Sequence, residues 1–189
     1  MSILYVINYT SWFEGGVSMK NIQSYDYEGI RLQLIEKEDI EEIRLLRNAN
    51  KDFFFYSKEV TTEEQELWYE KYMQKEDDYM FKILNTSNIY EIIGVVALYD
   101  FQLDLAQCEF GRIIINHNKV SEKGVGLKAT KCACKIAFEY FQIKKIVLQV
   151  LVNNIRAYKT YVNAGFKETG RFLTEGDKIE MICMELLRE

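Results

Sequence analysis

Residues 121–138 of the chain read SEKGVGLKATKCACKIAF. Gly124 and Gly126 precede a run of residues that favours a helix. Glycines let the backbone come close to a ligand, and the free N–H groups and positive dipole end of a helix N-terminus attract anions. The stretch therefore indicates a phosphate site, although glycines also begin helices for steric reasons alone.

Two common phosphate loops fit this stretch poorly. A Walker loop continues as Gly-Lys-Ser/Thr, which GVGLKA lacks. A dinucleotide fingerprint matches in form as Gly124, Gly126 and Ala129, but it needs a tight strand-to-helix turn and an acidic residue about 20 positions on. Here the polar segment NHNKVSEK comes before the glycines, and Gln149–Asn153 takes the place of the acid. A different phosphate ligand is therefore expected.

Composition excludes several classes of protein. A length of 189 residues suits one domain, and a net charge of -5 disfavours a general nucleic-acid binder. The four cysteines form no Cys-x-x-Cys pair and there is one histidine, so we expect no metal site of the usual zinc spacing. No apolar run approaches the ~20 residues that span a bilayer. We therefore predict a cytoplasmic protein with reduced thiols, no bound metal and no nucleic-acid or membrane partner.

Residues 1–28 differ in pattern from the rest, and we predict an N-terminal extension there, followed by a single domain at 29–189. The segment EGGVSM can be encoded as a bacterial ribosome-binding sequence just upstream of Met19. One hypothesis is therefore that Met19 is the natural start. The other is a genuine strand, Ile3–Tyr9, followed by a Gly-Gly turn.

The hydrophobic pattern predicts a mixed α/β domain with the element order βααβββαβαββ. Strands are expected at 29–35, 79–84, 89–99, 107–115, 145–151, 166–172 and 178–187, and helices at 36–48, from 62, from the glycine loop to about 141, and at 153–164. The strand KIVLQVL is apolar almost throughout, which is typical of a central strand. Gly165 follows the last helix, at the position where a left-handed residue commonly ends a helix.

Two motifs stand on either side of a helix and a strand. The first is Ser121-Glu122-Lys123-Gly124-Val125-Gly126, and the second is Asn154-x-x-Ala157-x-x-x-Tyr161-x-x-x-Gly165-Phe166. Together they resemble the loop pattern Gln/Arg-x-x-Gly-x-Gly/Ala and the second signature of the GNAT family of acetyl-CoA-dependent N-acetyltransferases. The resemblance extends to the element order from 29 to 187 and departs at Ser121, where the family has Gln or Arg. It implies a GNAT-like acyl-CoA N-acyltransferase fold, with acetyl-CoA (coenzyme A) as the cofactor.

The resemblance also implies a set of cofactor-binding residues. In the family, loop amides hold the pyrophosphate of acetyl-CoA. The strand before the loop splays from its neighbour, and its amides bind the pantetheine arm and the thioester oxygen. The matching residues here are Ile113, Ile114, Ile115, Ser121, Glu122, Lys123, Gly124, Val125, Gly126, Leu127, Lys128, Asn154, Ala157 and Tyr158. The three isoleucines also suit a simple place in the core.

Tyr161 matches the family's general acid. A phenol with a pKa of ~10 is protonated at neutral pH and can donate to a thiolate whose pKa is near ~8.5. The alternative is a packed aromatic residue with a satisfied hydroxyl.

Glu109 is the candidate general base, because a glutamate near this position acts through water in the family's histone acetyltransferases. Strand alternation places Glu109, Gly111 and Ile113 on one face. A lysine amine of pKa ~10.4 is neutral in about one of 2,500 molecules at pH 7, a cost of ~4.6 kcal/mol, whereas an α-amine of pKa ~7.8 costs ~1 kcal/mol. The need for a base thus depends on the acceptor. The alternative role for Glu109 is a salt bridge with Arg112 or a lysine.

The acceptor is expected near the first two helices and the loop between them. Candidate residues there are Arg47, Asn48, Phe54, Tyr56 and Trp68. Arg47-Asn48 at the end of the first helix, together with Cys-Glu-Phe-Gly before the glycine loop, resembles GNAT enzymes that acetylate nucleotide-linked amino sugars. Trp68 with its acidic neighbours resembles acetyltransferases of ribosomal-protein N-termini. We therefore predict a small-molecule amine or a peptide N-terminus as the acceptor of a monomer or homodimer, with the amino sugar first. Core packing of the aromatic residues and a non-catalytic acyl-CoA-binding module are the alternatives.

Overall fold

An eight-stranded mixed β-sheet forms the centre of the computed structural model, which describes residues 22, 24–51, 57–176 and 178–188. The strands are β1 Ser24–Tyr27, β2 Ile30–Leu34, β3 Asp78–Asn85, β4 Asn88–Gln102, β5 Gln107–Ile115, β6 Lys145–Leu151, β7 Lys167–Leu173 and β8 Glu180–Leu187. The helices are α1 Ile40–Ala49, α2 Thr62–Met73, α3 Val125–Lys135 and α4 Ile155–Ala164, and a π-helical segment, Ile136–Tyr140, extends α3. The strand order across the sheet is β1-β2-β3-β4-β5-β6-β8-β7.

All neighbouring strands of this sheet are antiparallel except β5 and β6, which run parallel. This confirms the predicted mixed α/β class. The predicted order lacks one strand, because β1 lies in the segment predicted as an extension. β1 and β2 form a hairpin whose turn residues, Glu28 and Gly29, both have positive φ. Gly29 is therefore a turn residue and not the first residue of a strand.

Helices cover both faces of the sheet and divide the core in two. On the side of α3 and α4, the larger cluster includes Leu32, Phe81, Val96, Phe110, Ala133 and Tyr161. On the side of α1 and α2, the second cluster includes Ile43, Leu46, Tyr72, Val95 and Ile114. Val95 and Val96 of β4 lie in different clusters because side chains alternate across a strand.

Two helix boundaries follow local sequence signals. The Thr61 side chain accepts a hydrogen bond from the Glu64 N–H at 3.2 Å, and the Glu64 carboxylate accepts one from the Thr61 N–H at 2.9 Å. Gly165 follows α4 with φ 105°. The predicted start of α2 and the predicted end of α4 are therefore confirmed.

Candidate active site

Strands β5 and β6 part from each other in the middle of the sheet. They pair over three positions, the last of which is Glu109 with Val147. In contrast, β5 stays paired with β4 as far as Ile115. Beyond Glu109 the edge of β5 therefore faces an opening, which is the splay that the sequence resemblance implies.

Backbone N–H groups of β5 point into this opening. Asn116, the residue after β5, donates its N–H to the Ile93 carbonyl of β4 at 2.9 Å. Successive N–H groups of a strand point to opposite edges. Those of Ile113 and Ile115 therefore point into the opening, and that of Ile114 points to β4. Of the three isoleucines predicted to bind the cofactor, two have the required amide direction.

A β-bulge interrupts β5 beside the opening. Between Gly111 and Ile114, β5 has one residue more than the segment of β4 with which it pairs. The bulge residue Arg112 has φ 52°, in the left-handed region. Phe110 and Ile114 consequently pack in opposite cores, although their even spacing would otherwise place them on one face.

The prediction that Glu109, Gly111 and Ile113 share one face is wrong because of this bulge. The Tyr99 hydroxyl donates a hydrogen bond to Glu109, and a Cβ on Gly111 would lie 2.5 Å from the same hydroxyl. Glu109 and Gly111 thus lie on the side of α1 and α2, where Tyr99 packs. Ile113 packs on the side of α3 and α4. The extra residue shifts the alternation by one position.

The N-terminus of α3 lies beside the open edge of β5. A Cβ added to Gly126 would be 3.6 Å from Cγ1 of Ile115. The N-cap residue Gly124 has φ 89°, which favours glycine, and a Cβ there would have nothing within 4 Å. The Lys128 N–H donates to the Gly124 carbonyl at 3.0 Å, so the N–H groups of residues 124–127 precede the first intrahelical bond. The loop thus presents amides and open space of the kind that a phosphate needs.

Side chains of the loop add little net positive charge. Lys128 forms an ion pair with Glu122, with 2.6 Å between Nζ and Oε1. Ser121 and Lys123 are exposed, and the Val125 side chain is buried. Backbone amides are therefore the main donors that this loop offers to an anion.

Three residues predicted to bind the cofactor, Asn154, Ala157 and Tyr158, make structural contacts at the start of α4. The Asn154 side-chain oxygen accepts a hydrogen bond from the Ala157 N–H at 3.2 Å and caps the helix. Ala157 and Tyr158 pack against the larger core, and the Tyr158 hydroxyl donates to Glu168 of β7 at 3.2 Å. Their contacts with the cofactor remain predictions.

Tyr161 combines a buried ring with a hydroxyl that reaches the surface. Its ring packs against Phe110, with 5.7 Å between ring centroids, and against Phe166, with 6.1 Å. The hydroxyl makes no hydrogen bond to the described residues, and no described side chain has a buried oxygen without a partner. The hydroxyl oxygen is therefore accessible. Burial raises the pKa of Tyr161, so the phenol stays protonated at neutral pH.

Glu109 is half-buried and accepts a hydrogen bond from the Tyr99 hydroxyl at 2.9 Å. Burial raises the pKa of Glu109, and the hydrogen bond from Tyr99 acts in the opposite direction. Arg112 donates instead to both carboxylate oxygens of Asp78, at 2.7 and 2.9 Å. The salt bridge with Arg112, considered as an alternative role for Glu109, is therefore not formed.

Tyr161 and Glu109 lie on opposite sides of β5 at the start of the opening. Phe110, whose ring contacts Tyr161, directly follows Glu109, and neighbouring side chains of a strand point to opposite faces. The Tyr161 ring and the Glu109 carboxylate therefore lie on opposite faces of the sheet next to the opening.

The predicted acceptor residues Arg47 and Asn48 hold the segment that leads into α2. The Asn48 amide donates to the Val60 carbonyl and accepts from the Val60 N–H, both at 2.9 Å. Arg47 donates to the Lys58 carbonyl at 2.5 Å. Both side chains therefore hold residues 58–60, which lead into α2, against α1.

Trp68, the third acceptor candidate in the described residues, packs against α2 itself. Its ring stacks on Tyr72, with 5.3 Å between centroids and 15° between planes. The Tyr72 hydroxyl in turn accepts a hydrogen bond from the Met80 N–H at 3.2 Å. The remaining candidates, Phe54 and Tyr56, lie outside the described residues.

Sequence reasoning missed Tyr99 as the partner of Glu109 and Asp78 as the partner of Arg112. Tyr99 opposes Glu109 in the register of β4 and β5, but a register shift between Tyr99 and Gln102 separates this pair from the turn. Counting outward from the turn would therefore not pair the two residues. The available signal was weak: a tyrosine in the strand before Glu109.

The described residues contain no group of three or more His, Cys, Asp or Glu side chains that could hold a metal ion. Within the same parts of the chain, no helix is long and apolar enough to cross a membrane. The candidate site consists of backbone amides, a phenol and a carboxylate.

The chain matches a known family. Residues 30–167 match the family described as acetyltransferase (GNAT) domain. The chain therefore belongs to the GNAT family, and it is an N-acetyltransferase that uses acetyl-CoA. No curated protein matches the sequence at a significant level.

Solved structures of spermidine N-acetyltransferases are similar to this chain. The Vibrio cholerae enzyme in complex with CoA and spermine has 25% sequence identity and a TM-score of 0.75, and the match covers 84% of this chain and 95% of that one. A single-substitution variant of the Vibrio cholerae enzyme has 26% identity and a TM-score of 0.70, over 82% and 94% of the two chains. A dodecameric structure of the Vibrio cholerae enzyme, at 24% identity and a TM-score of 0.69 over 84% and 94%, shares the fold.

Proposed function

We propose that the protein transfers acetyl from acetyl-CoA to a small primary amine by direct attack of the amine in a ternary complex. The observation that carries this proposal is the position of Tyr161 and Glu109 on opposite sides of the opening between β5 and β6. A phenol on one side suits a leaving thiolate, and a carboxylate on the other suits an attacking amine.

Residues around the opening fit acetyl-CoA. The N–H groups at the start of α3 precede the first intrahelical bond, and the space beside Gly124 is open to 4 Å, so a pyrophosphate has both donors and room. Residues 121–128 would hold it mainly through the backbone. The N–H groups of Ile113 and Ile115 lie between that loop and Glu109, where the pantetheine arm would run.

Four groups of the chain divide the chemistry between them. Acetyl-CoA supplies a thioester, which the amine attacks and from which sulfur leaves. The N–H groups of Ile113 and Ile115 are about 6.6 Å apart along the strand, so they serve two acceptors. That of Ile113, nearer to Glu109, donates to the carbonyl oxygen, where negative charge develops, and that of Ile115 donates to the pantetheine arm. Glu109 takes the amine proton through water, and its raised pKa makes it a better base. Tyr161 donates its hydroxyl proton to the leaving sulfur.

A polyamine is the acceptor class with the most support. The similar solved structures are spermidine N-acetyltransferases. The chain has a net charge of -5, and α1 and α2 together carry six acidic and three basic residues, which favours a polycation. Amines of pKa ~10.4 also need the base most, because about one molecule in 2,500 is neutral at pH 7.

The other two acceptors have less support. The amino-sugar hypothesis depends in part on Arg47 and Asn48, which donate to the backbone at Lys58 and Val60. The hypothesis of a ribosomal-protein N-terminus depends on Trp68, whose ring stacks on Tyr72 of the same helix. Both acceptors are therefore included in the assay below.

Thiol release from acetyl-CoA tests the proposal with spermidine, an amino-sugar nucleotide, an N-terminal peptide and no acceptor. We expect release with spermidine well above the reaction without acceptor. Release with the peptide alone or with the amino sugar alone would support the proposed acetyl transfer but would show that the acceptor is not a polyamine. No release with any of them, despite measurable CoA binding, would favour a non-catalytic acyl-CoA-binding module.

We further propose a cytoplasmic enzyme that is monomeric or homodimeric. Cys108, Cys132, Cys134 and Cys183 are free thiols, which suits a reducing compartment. Sedimentation of the purified protein would test the oligomeric state. A dodecamer, as in the solved Vibrio cholerae enzyme, would overturn this part of the proposal.

A further inference from the structure

The Tyr99 hydroxyl engages one half of the Glu109 carboxylate and leaves the other half available. It donates to Oε1 at 2.9 Å, while Oε2 makes no hydrogen bond or ion pair with the described residues. Every buried side-chain oxygen in those residues has a partner, so Oε2 is accessible. One oxygen thus fixes the orientation of the carboxylate, and the other is open to a proton.

Tyr99 is itself held in place by a partly buried ion pair between Arg112 and Asp78. The guanidinium carbon of Arg112 lies 4.3 Å from the centroid of the Tyr99 ring. Arg112 bonds to Asp78, which is 3% exposed and pairs with Tyr99 across β3 and β4. Asp78, Arg112, Tyr99 and Glu109 therefore form a continuous chain of contacts from the interior to the open oxygen.

Gly111 leaves the room that the Tyr99 contact requires. A Cβ at this position would lie 2.5 Å from the Tyr99 hydroxyl oxygen and 3.2 Å from a carbon of its ring. Both separations are shorter than the optimum for non-bonded heavy atoms, which is about 3.5 Å or more. A larger residue at 111 would therefore displace the hydroxyl that bonds to Glu109.

We propose that Tyr99 is a positioning residue for the base: its hydroxyl orients the Glu109 carboxylate toward the acceptor amine, and Arg112 and Gly111 preserve that contact. The proposal rests on the proposed function, in which Glu109 is the base. The groups that face Glu109 are Tyr99 and Asp100 from β4, Arg112 from β5 with Asp78 of β3 behind it, and the apolar Val147 from β6.

Tyr99→Phe removes the hydroxyl and tests the proposal through the pH profile. The hydrogen bond stabilises the charged carboxylate and lowers its pKa, so its loss raises the pKa of Glu109. The base is then protonated at a higher pH. We expect the acid limb of kcat/KM with spermidine to move up by about one pH unit, and kcat on the plateau to fall about tenfold. The ratio of variant to wild-type rates at each pH cancels the ionisation of spermidine.

Tyr25→Phe is the matched control. The Tyr25 hydroxyl also donates to a glutamate, Glu139, at 2.8 Å, but from the edge strand β1. We expect its pH profile to match the wild type. An acid limb that does not move in Tyr99→Phe, or that moves equally in Tyr25→Phe, would overturn the positioning role.

Gly111→Ala disturbs the same contact while the hydroxyl is still present. We expect a shift of the acid limb similar to that of Tyr99→Phe. In the double variant, the alanine should add at most about twofold to the loss of kcat, because the group that it displaces is gone. Full additivity of the two substitutions would contradict the proposal.

Glu109→Gln separates this inference from the proposed function. An acid limb that persists in Glu109→Gln would show that Glu109 is not the base, and both proposals would fail. An acid limb that disappears in Glu109→Gln but stays in place in Tyr99→Phe would support Glu109 as the base. It would show that Tyr99 does not position it. Thermal unfolding and the KM for acetyl-CoA, which we expect to be unchanged, check that each variant is folded.

Discussion

The two faces of β5 use different parts of the chain. We call the face toward α3 and α4 the cofactor side and the face toward α1 and α2 the acceptor side. On the cofactor side the proposed donors are backbone N–H groups, from Ile113 and Ile115 and from the start of α3. On the acceptor side the candidates are side chains, and Asn48 and Trp68 both contact other parts of the protein. A backbone donor exists at almost every residue, so the cofactor side needs a particular chain path and not particular side chains.

Glycines provide that chain path on the cofactor side. Gly124 adopts φ 89°, and Gly126 lets α3 approach Ile115. The acceptor side has no such device among the described residues, and its shape depends on packing between α1, α2 and the sheet. Substitutions should therefore affect the two ligands separately, and four predictions test that separation.

The largest effect is expected for Tyr161→Phe, which removes the one side-chain proton donor that the cofactor side requires. We expect kcat to fall about 100-fold, with the KM for acetyl-CoA unchanged. The free energy of unfolding should also be unchanged, because the hydroxyl has no partner among the described residues. Steady-state kinetics and thermal unfolding measure these quantities. Tyr140→Phe, at a residue that is 45% exposed, is the control, and a kcat within twofold of the wild type would remove the acid role.

Gly124→Ala tests whether the path of the loop holds the cofactor. A left-handed alanine costs roughly 1–2 kcal/mol of stability, and the displaced start of α3 should raise the KM for acetyl-CoA about tenfold. Gly176→Ala is a closely matched control: Gly176 also has φ 89°, and a Cβ there would have nothing within 4 Å. It should lose similar stability with no change in KM. Equal effects of both variants on KM would break the link between this glycine and the cofactor.

Asn48→Ala tests whether this side chain acts on the acceptor through the scaffold. Loss of its two hydrogen bonds to Val60 should lower the free energy of unfolding by about 2 kcal/mol. The KM for spermidine should rise about threefold with the KM for acetyl-CoA unchanged. Asn50→Ala, which loses one bond to the Leu46 carbonyl, is the control. A large rise in the spermidine KM without loss of stability would show direct contact with the acceptor instead.

The smallest effect is expected for Glu122→Gln, which releases Lys128 from its ion pair. The freed lysine can attract the pyrophosphate, so the KM for acetyl-CoA should fall about twofold at low salt and less at high salt. Glu139→Gln makes the same charge change beside Lys135 near the far end of α3 and should have no such effect. A rise in KM would show that Glu122 itself supports the loop.

Local patterns predicted the parts of the fold whose causes are local. The helix after the glycine loop, the capped start of α2 at Thr61 and the end of α4 at Gly165 all depend on residues within one turn of the chain. The four-residue strand β1 was missed because so short a segment has too little pattern, and Gly29 was misassigned because a hairpin turn depends on the strand that precedes it.

Candidate residues for the site divide in the same way. Glu109 and Tyr161 were named from motif position, but their placement on opposite faces of β5 depends on α4 packing onto Phe110. The contact of Glu109 with Tyr99 depends on the register of β4 and β5, which is irregular both near the turn and at Arg112.

Sequence patterns alone were thus enough for the mixed α/β class, the helix that begins at the glycine loop and the family resemblance, because glycine spacing and helix periodicity act over a few neighbouring residues. The open edge of β5, the bulge that separates Gly111 from Ile113, and the Tyr99 hydroxyl on Glu109 arise only when strands pair. Their positions are set by contacts between residues that are distant in the chain, and those contacts place the carboxylate and the phenol on either side of the opening.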